Sequence, residues 1–262
     1  MKIMVCVKQV PDTEMIKVDP VTGSLIRDGV PSIINPFDLN ALEAALQLRG
    51  EYGGSVAAVC MGPPQAEEAL RDCLAMGADS AVLISDRVFK DSDTLATSHV
   101  LSLAARQFGP FDLVLCGKHS LDGETGQVGP QIAEFLGWNQ VTYASCMRQT
   151  ADGLVIDREM EGGVERVLTQ TPVVCTVTKT HYEPRKATMK GKLAAKKAPI
   201  EILSSQTLQG LDLGRIGLVG SPTSVTRSFV PPVGEPGVII KEATDALSAA
   251  KLAELLAQAE AI

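Results

Sequence analysis

Length, composition and charge limit the class of protein before any motif is considered. The 262 residues fit one large domain with extensions or two small domains. Aromatic residues are only 4% of the chain, so a core must come from Val, Leu, Ile and Ala, which suits parallel strands covered by helices. The net charge of -7 argues against general nucleic-acid binding, and no apolar run approaches the roughly 20 residues of a membrane span.

The start of the chain and its cysteines favour a cytoplasmic protein without disulfides. Residues 1–8 are too short and too interrupted for a signal peptide and are typical of a first strand. The six cysteines contain no C-x-x-C pair, and the three histidines lie far apart in sequence. We therefore expect buried free thiols and no metal site.

The first half of the chain alternates between strand and helix patterns. Helical stretches begin at Pro36, after Asn35 as a possible N-cap, then at residue 64 and after a possible Asp93 cap. Strands alternating with helices predict an α/β fold with a parallel, Rossmann-like sheet. The predicted strands are 2–10, 55–61, 81–85 and 111–116.

The second half has a different pattern. Short strand-like runs around a turn at 161–163 predict a more antiparallel region. Residues 179–197 are basic and poor in large apolar groups, which indicates an exposed loop, and residues 217–237 are typical of an extended arm before a terminal helix at about 243–260. The predicted strands of this half are 141–148, 154–160, 164–170 and 172–179.

The richest candidate site follows the strand at 111–116. Glycines at 123, 126 and 129 would allow close backbone approach before a helix predicted at 130–136, which is the arrangement of a pyrophosphate cradle. A glycine-rich packing turn explains the pattern equally well. The motif is neither G-x-G-x-x-G nor a P-loop, so a standard NAD site and a Walker NTPase are both disfavoured.

Two other helix starts are weaker candidates. The start at Asn35–Asp38 could take a ribose or phosphate, although a plain capped helix is the better reading of those residues alone. Thr94 and Thr97 could donate to a phosphate, at even odds with ordinary capping chemistry. No Ser-His-Asp or Cys-His spacing appears, so the residues themselves indicate a nucleotide binder without hydrolytic machinery and without catalytic residues.

Further information comes from an ordered set of segments spread over nearly the whole chain: 5–13, 35–38, 61–63, 75–79, 117–127, 157–174 and 183–188. Taken together, these segments resemble the electron transfer flavoprotein beta subunit family. The fold implied by that resemblance is an adenine nucleotide alpha hydrolase-like domain at 1–205, followed by a C-terminal arm and helix at 206–262 that pack on an alpha subunit.

The resemblance also implies a nucleotide cofactor. It is AMP in simple members and FAD in electron-bifurcating members, and the segments 18–30 and 92–98 look more like the bifurcating branch. In that branch NADH is the electron donor, and ferredoxin or flavodoxin is the low-potential acceptor. The cofactor-binding residues implied are Cys6, Asn35, Pro36, Phe37, Asp38, Met61, Thr94, Thr97, Asp122, Gly123, Glu124, Thr125, Gly126, Gln127, Val128 and Gly129.

Partner docking is the last implication of the resemblance. A recognition loop at 181–200, with Arg185, Met189 and Lys190, would dock on an acyl-CoA dehydrogenase or similar flavin dehydrogenase. Two alternatives remain open: a simple AMP-holding subunit of a non-bifurcating carrier, and a stand-alone adenine-nucleotide-binding regulator.

Overall fold

The computed structural model of the chain describes residues 1–12, 17–18, 25–26, 31–226 and 237–261. These residues group into two compact units, 1–228 and 229–262. Residues 206–226 therefore belong to the first unit, where Leu208 and Ile216 are buried in its core. The packing of 206–262 on an alpha subunit stays a prediction.

Thirteen strands lie in the described part of the chain, and those between residues 32 and 150 alternate with helices. They are β1 (Lys2–Cys6), β2 (Gln9–Pro11), β3 (Lys17–Val18), β4 (Leu25–Ile26), β5 (Ser32–Ile34), β6 (Ser55–Met61), β7 (Ser80–Ile84), β8 (Leu113–Gly117), β9 (Asn139–Thr150), β10 (Gly153–Met160), β11 (Gly163–Thr169), β12 (Val173–Val177) and β13 (Glu201–Leu203). Their order agrees with the predicted βαβ units.

The main sheet has nine strands in the order β11-β10-β9-β12-β8-β1-β6-β7-β13. Every pairing from β9 to β13 along this order is parallel, whereas β9, β10 and β11 form an antiparallel meander. Two small antiparallel pairs, β2 with β5 and β3 with β4, lie outside the main sheet. The predicted α/β fold class with an antiparallel hairpin region is confirmed.

Helices cover both faces of the sheet and divide the core into two clusters. Ile3 of β1 belongs to one cluster together with Leu42, and the next residue, Met4, belongs to the other together with Ile132. This alternation along one strand is what a sheet buried on both faces requires. The described helices are α1 (Pro36–Tyr52), α2 (Glu67–Met76), α3 (Thr94–Phe108), α4 (Val128–Leu136), α5 (Met189–Lys197) and α6 (Asp245–Gln258).

The segment predicted as a strand at 172–179 lies in the parallel part of the sheet, so its placement in the antiparallel half is wrong. β12 pairs in parallel with both β8 and β9 and is buried along its whole length. The chain crosses back from the meander into the middle of the sheet, because five consecutive buried residues need neighbours on both sides and both faces.

The prediction of an exposed loop through 179–197 is wrong for its last nine residues. Thr188 caps α5 by accepting a hydrogen bond from the Gly191 amide at 3.0 Å. The helix packs closely on α2, since a Cβ at Gly191 would overlap the Ala75 carbonyl oxygen. Small residues rather than large apolar ones make this contact, so the usual hydrophobic stripe is absent from the sequence.

The C-terminal helix is confirmed within the second unit. Thr244 caps α6 with its hydroxyl, which accepts from the Leu247 amide at 3.3 Å. Residues 227–236 of the predicted extended arm, and most of the 18–30 segment, lie outside the described residues. All six cysteines are free, and five of them are buried; Cys146 is partly exposed.

Two helical glycines should respond oppositely to alanine. Gly191→Ala should lower the free energy of unfolding by about 1–3 kcal/mol, because the added methyl meets the α2 backbone. Gly50→Ala in α1 has open space around its Cβ and should raise that free energy by about 0.5 kcal/mol. Urea unfolding of the purified chain measures both, and a Gly191→Ala protein as stable as wild type would contradict the packing described for α5.

Candidate functional site

A cleft of about 960 Å³ opens at the carboxyl edge of the parallel strands. Cys6, Met61 and Gly117, at the ends of β1, β6 and β8, and Ser85, just after β7, all line it. Ligands of open α/β sheets bind outside the carboxyl ends of the strands, so this is where a small molecule is expected. The predicted cofactor residues that line the cleft are Cys6, Asp38, Met61, Thr94, Thr97, Gly123, Thr125, Gly126, Gln127, Val128 and Gly129.

The floor of the cleft is organised by the buried carboxyl of Asp38 in the first turn of α1. Its two oxygens accept from the Lys8 amide at 2.8 Å and from the Gly117 amide at 3.0 Å. Gly117 is required beside it, because a Cβ there would overlap an Asp38 oxygen. Burial raises the pKa of Asp38 to about 7 in spite of these two donors.

The glycine-rich loop forms one side of the cleft and leads directly into α4. Gly126 has φ +65°, a conformation that favours glycine. α4 begins at Val128, two residues before the predicted Pro130, and the Gln127 side chain does not cap it. The first amides of a helix have no partner within the helix and carry its positive dipole end, so this loop has the donor set for a phosphate group.

The opposite side of the cleft, at the start of α3, is built differently. The Asp93 carboxylate caps α3 by accepting from the amides of Leu95 and Ala96 at 2.9 and 3.1 Å. Thr94 donates its hydroxyl to the Gln127 side-chain oxygen at 2.8 Å and so joins the two sides of the cleft. Thr94 and Thr97 line the cleft, but the helix end behind them is occupied by a carboxylate, and their binding to a cofactor stays a prediction.

Five predicted cofactor residues, Asn35, Pro36, Phe37, Asp122 and Glu124, do not line the cleft. The buried amide of Asn35 does not cap α1 but holds the approach to the glycine loop, donating to the His119 carbonyl at 2.8 Å and accepting from the Leu121 amide at 3.2 Å.

Aromatic and ionic contacts reinforce the same loop. The Phe37 ring packs edge-on against the His119 ring at 4.7 Å between centroids, and the Lys118 ammonium lies 4.7 Å from the Phe37 centroid. Asp122 forms an ion pair with Lys8 at 2.7 Å. Phe37 and Asp122 therefore support, from behind, the residues Lys8, Lys118 and His119 that line the cleft.

Sequence reasoning did not assign the basic residues of the cleft. Lys8, two residues after β1, and Lys118, the residue after β8, both line the cleft, as do Arg87 and Lys90. The position of Lys8 and Lys118 just after central strands is the signal that could have identified them. They add positive charge beside the glycine loop, which suits an anionic ligand.

Of the predicted docking residues, Arg185 lies on the segment that leads into α5, and Met189 and Lys190 are the first two residues of that helix. The guanidinium of Arg185 donates to both oxygens of the buried Glu43 carboxylate at 2.8 Å, and the Arg185 amide adds a third bond at 3.0 Å. Burial alone would raise the pKa of Glu43, but these bonds hold it below its ordinary value. Met189 is 74% exposed and Lys190 is also exposed.

The described part of the chain contains neither a candidate membrane-spanning helix nor a candidate metal site. None of its helices is long and apolar enough to cross a membrane. Within the same residues, no three His, Cys, Asp or Glu side chains are grouped so that they could hold a metal ion.

Comparison with known proteins gives a consistent answer. The family model described as electron transfer flavoprotein domain matches residues 22–208. The chain is 47% identical over 252 residues to the electron transfer flavoprotein subunit beta of Thermoanaerobacterium thermosaccharolyticum, covering 94% of this chain and 96% of that protein. It is 46% identical over 245 residues to the caffeyl-CoA reductase-Etf complex subunit CarD of Acetobacterium woodii, covering 93% of each.

A third relative has a different name and a similar degree of identity. The chain is 46% identical over 236 residues to Protein FixA of Bradyrhizobium diazoefficiens, which covers 87% of this chain and 82% of that protein. Since the family model spans most of the chain and these relatives match it almost from end to end, the chain belongs to the electron transfer flavoprotein family and is a beta subunit of that family.

Proposed function

We propose that this chain binds FAD in the cleft and is the beta subunit of an electron-bifurcating, heterodimeric electron transfer flavoprotein in the cytoplasm. NADH is the donor, ferredoxin or flavodoxin is the low-potential acceptor, and the flavin of an alpha subunit leads to an acyl-CoA dehydrogenase or similar flavin dehydrogenase. The C-terminal residues 206–262 pack on that alpha subunit.

The observation that carries the proposal is the volume of the cleft. The cleft has a volume of about 960 Å³, and its lining includes the glycine loop, Thr94, Thr97 and residues of the 86–91 segment. Small-molecule sites span roughly 300–1,000 Å³, so this cleft is at the upper end of the range and has more room than a mononucleotide needs. FAD, which is AMP extended by a phosphate, a ribityl chain and a ring system, would use that room.

The residues of the chain bind and orient such a cofactor. The amides of the 123–129 loop and the first turn of α4 face its phosphates, and Lys8 and Lys118 lower the cost of bringing negative charge to the carboxyl edge. When bound, FAD supplies hydride acceptance and one-electron transfer, while the protein supplies position and electrostatics. No side chain is needed as a nucleophile.

The name of one relative supports a reductase or dehydrogenase as partner. CarD carries the name of a caffeyl-CoA reductase–Etf complex, and this chain matches it over 93% of both sequences. The bifurcating form itself is proposed from the resemblance of segments 18–30 and 92–98 to that branch.

One observation favours the AMP-holding alternative. The Asp93 carboxylate occupies the start of α3 and would repel a second phosphate there, and the Thr94 hydroxyl is already bonded to Gln127. FAD binding would require Thr94 to exchange this partner. A flavin count on the purified heterodimer separates the two: two flavins support the proposal, and one flavin with AMP supports the alternative.

Gly126→Val tests the phosphate cradle. The branched side chain at φ +65° would close the approach to the loop, so the dissociation constant for nucleotide should rise at least about tenfold, or 1.4 kcal/mol. Equilibrium dialysis with AMP and with FAD measures it. Gly162→Val is the matched control, because Gly162 also has positive φ (+83°) but lies in open space on the hairpin. If both variants bind like wild type, the cradle lies elsewhere.

Thr94→Val with Thr97→Val tests the FAD proposal at the far side of the cleft. Removing both hydroxyls at nearly constant volume should lower the flavin content of the heterodimer from two to one and abolish reduction by NADH. Thr169→Val, on the edge strand β11, is the control and should retain both flavins. A double variant that keeps two flavins and the NADH reaction would show that these threonines do not hold the cofactor.

Met189→Ala tests the docking segment separately from the cofactor. Met189 is 74% exposed at the start of α5, and loss of an apolar anchor should slow electron delivery to the dehydrogenase about tenfold. Stopped-flow measures the rate of electron delivery. The flavin content of the heterodimer and the rate of its reduction by NADH should both be unchanged. Val164→Ala, at an exposed apolar residue on β11, is the control for loss of surface apolarity. Loss of flavin in Met189→Ala would refute the docking assignment.

A further inference from the structure

Residues 205–223 run along the back of the cleft wall formed by residues 86–93 and are bonded to both ends of it. At one end, the Asp86 carboxylate accepts from the Ser205 amide at 3.0 Å and from its hydroxyl at 2.6 Å. At the other end, the Asp93 carboxylate accepts from the Thr223 amide at 3.1 Å and from its hydroxyl at 2.8 Å. The wall is thus held from outside the cleft by a segment far away in sequence.

The middle of this segment is also bonded to the wall. The Ser221 hydroxyl accepts from the Asp93 amide at 2.8 Å and donates to the Gly217 carbonyl at 2.6 Å. The Gly217 amide in turn donates to the Ser92 hydroxyl at 3.1 Å. Gly217 has φ +57°, and a Cβ there would overlap the Val88 carbonyl oxygen, so the two backbones approach as closely as a glycine allows.

Asp93 connects this outer contact to the inside of the cleft. One of its oxygens takes Thr223, and the other takes the Leu95 and Ala96 amides and so fixes the first turn of α3. That turn places Thr94 on the cleft, where its hydroxyl meets Gln127 at 2.8 Å. Hydrogen bonds at Asp93 and at Thr94, connected by the backbone of the first turn of α3, therefore join Thr223 on the outside to Gln127 of the glycine loop.

We propose that Thr223 and Ser221 are positioning residues for the nucleotide: they do not line the cleft themselves, but they set its affinity through Asp93, which does. A carboxylate at a helix end can adopt several conformations. The hydrogen bond from the Thr223 hydroxyl favours the one in which both Asp93 oxygens accept hydrogen bonds. The inference rests on the proposed function, because it assumes that the cleft takes a nucleotide.

The chain continues from Thr223 towards the second unit, residues 229–262. Thr223 lies three residues before residue 226, where the described part of the first unit ends.

The test uses the full-length chain with AMP and FAD as separate probes in equilibrium binding. Thr223→Val keeps the backbone bond and removes only the hydroxyl, so the dissociation constant should rise about three- to fivefold. Thr223→Ser keeps a hydroxyl and should restore wild-type affinity. Ser224→Ala, at an exposed neighbour with no hydrogen bond among the described residues, should bind like wild type.

Amide exchange of the nucleotide-free chain gives a second readout that does not depend on any ligand. In Thr223→Val the Leu95 and Ala96 amides should exchange faster, while amides of the distant β10–β11 hairpin stay unchanged. If the wild-type chain binds nucleotide and the Thr223→Val chain binds it with the same affinity, the inference is wrong and the proposed function stands. A wild-type chain that binds neither AMP nor FAD would overturn the proposed function itself.

Discussion

The buried carboxyl of Asp38 is the contact on which the site depends. It joins the first turn of α1 to the residues at the ends of two adjacent central strands, through the amides of Lys8 and Gly117. Holding a carboxyl in this environment is costly, and burial raises its pKa to about 7. The gain is a fixed floor, because neither strand end can move without breaking a bond to the same side chain.

Helix α1 organises more than the floor. Asn35, just before it, holds the backbone that leads into the glycine loop, and Asp122 of that loop returns to Lys8. One turn beyond Asp38, the buried Glu43 binds Arg185 and anchors the segment that leads to α5. One helix thus positions both the cleft and the segment proposed to dock on a dehydrogenase, so the two are held in a fixed relation without sharing residues.

The two sides of the cleft differ in electrostatic character, and this bears on the choice of nucleotide. The glycine loop offers amides and nearby lysines, whereas the α3 side has a carboxylate at the helix end. The first side would suit the phosphate of either proposed nucleotide. The second has the room for a larger cofactor, but its groups are bonded to each other and to residues 217–223. The cleft's selectivity therefore depends on that second side.

Local pattern was enough to determine much of this protein from its sequence. Short stretches of consecutive residues were enough to predict the alternation of strands and helices, the Asp93 cap and the glycine loop. The reason is that periodicity and capping act over one or two turns. What only the tertiary structure decided depends on contacts between distant segments: the insertion of β12 beside β8, the packing of Gly191 on α2, and the use of Asn35 to hold a loop more than 80 residues away. Such contacts cannot be predicted from the spacing of nearby residues. Small or polar residues make them, and only after the sheet has brought the distant backbone segments together.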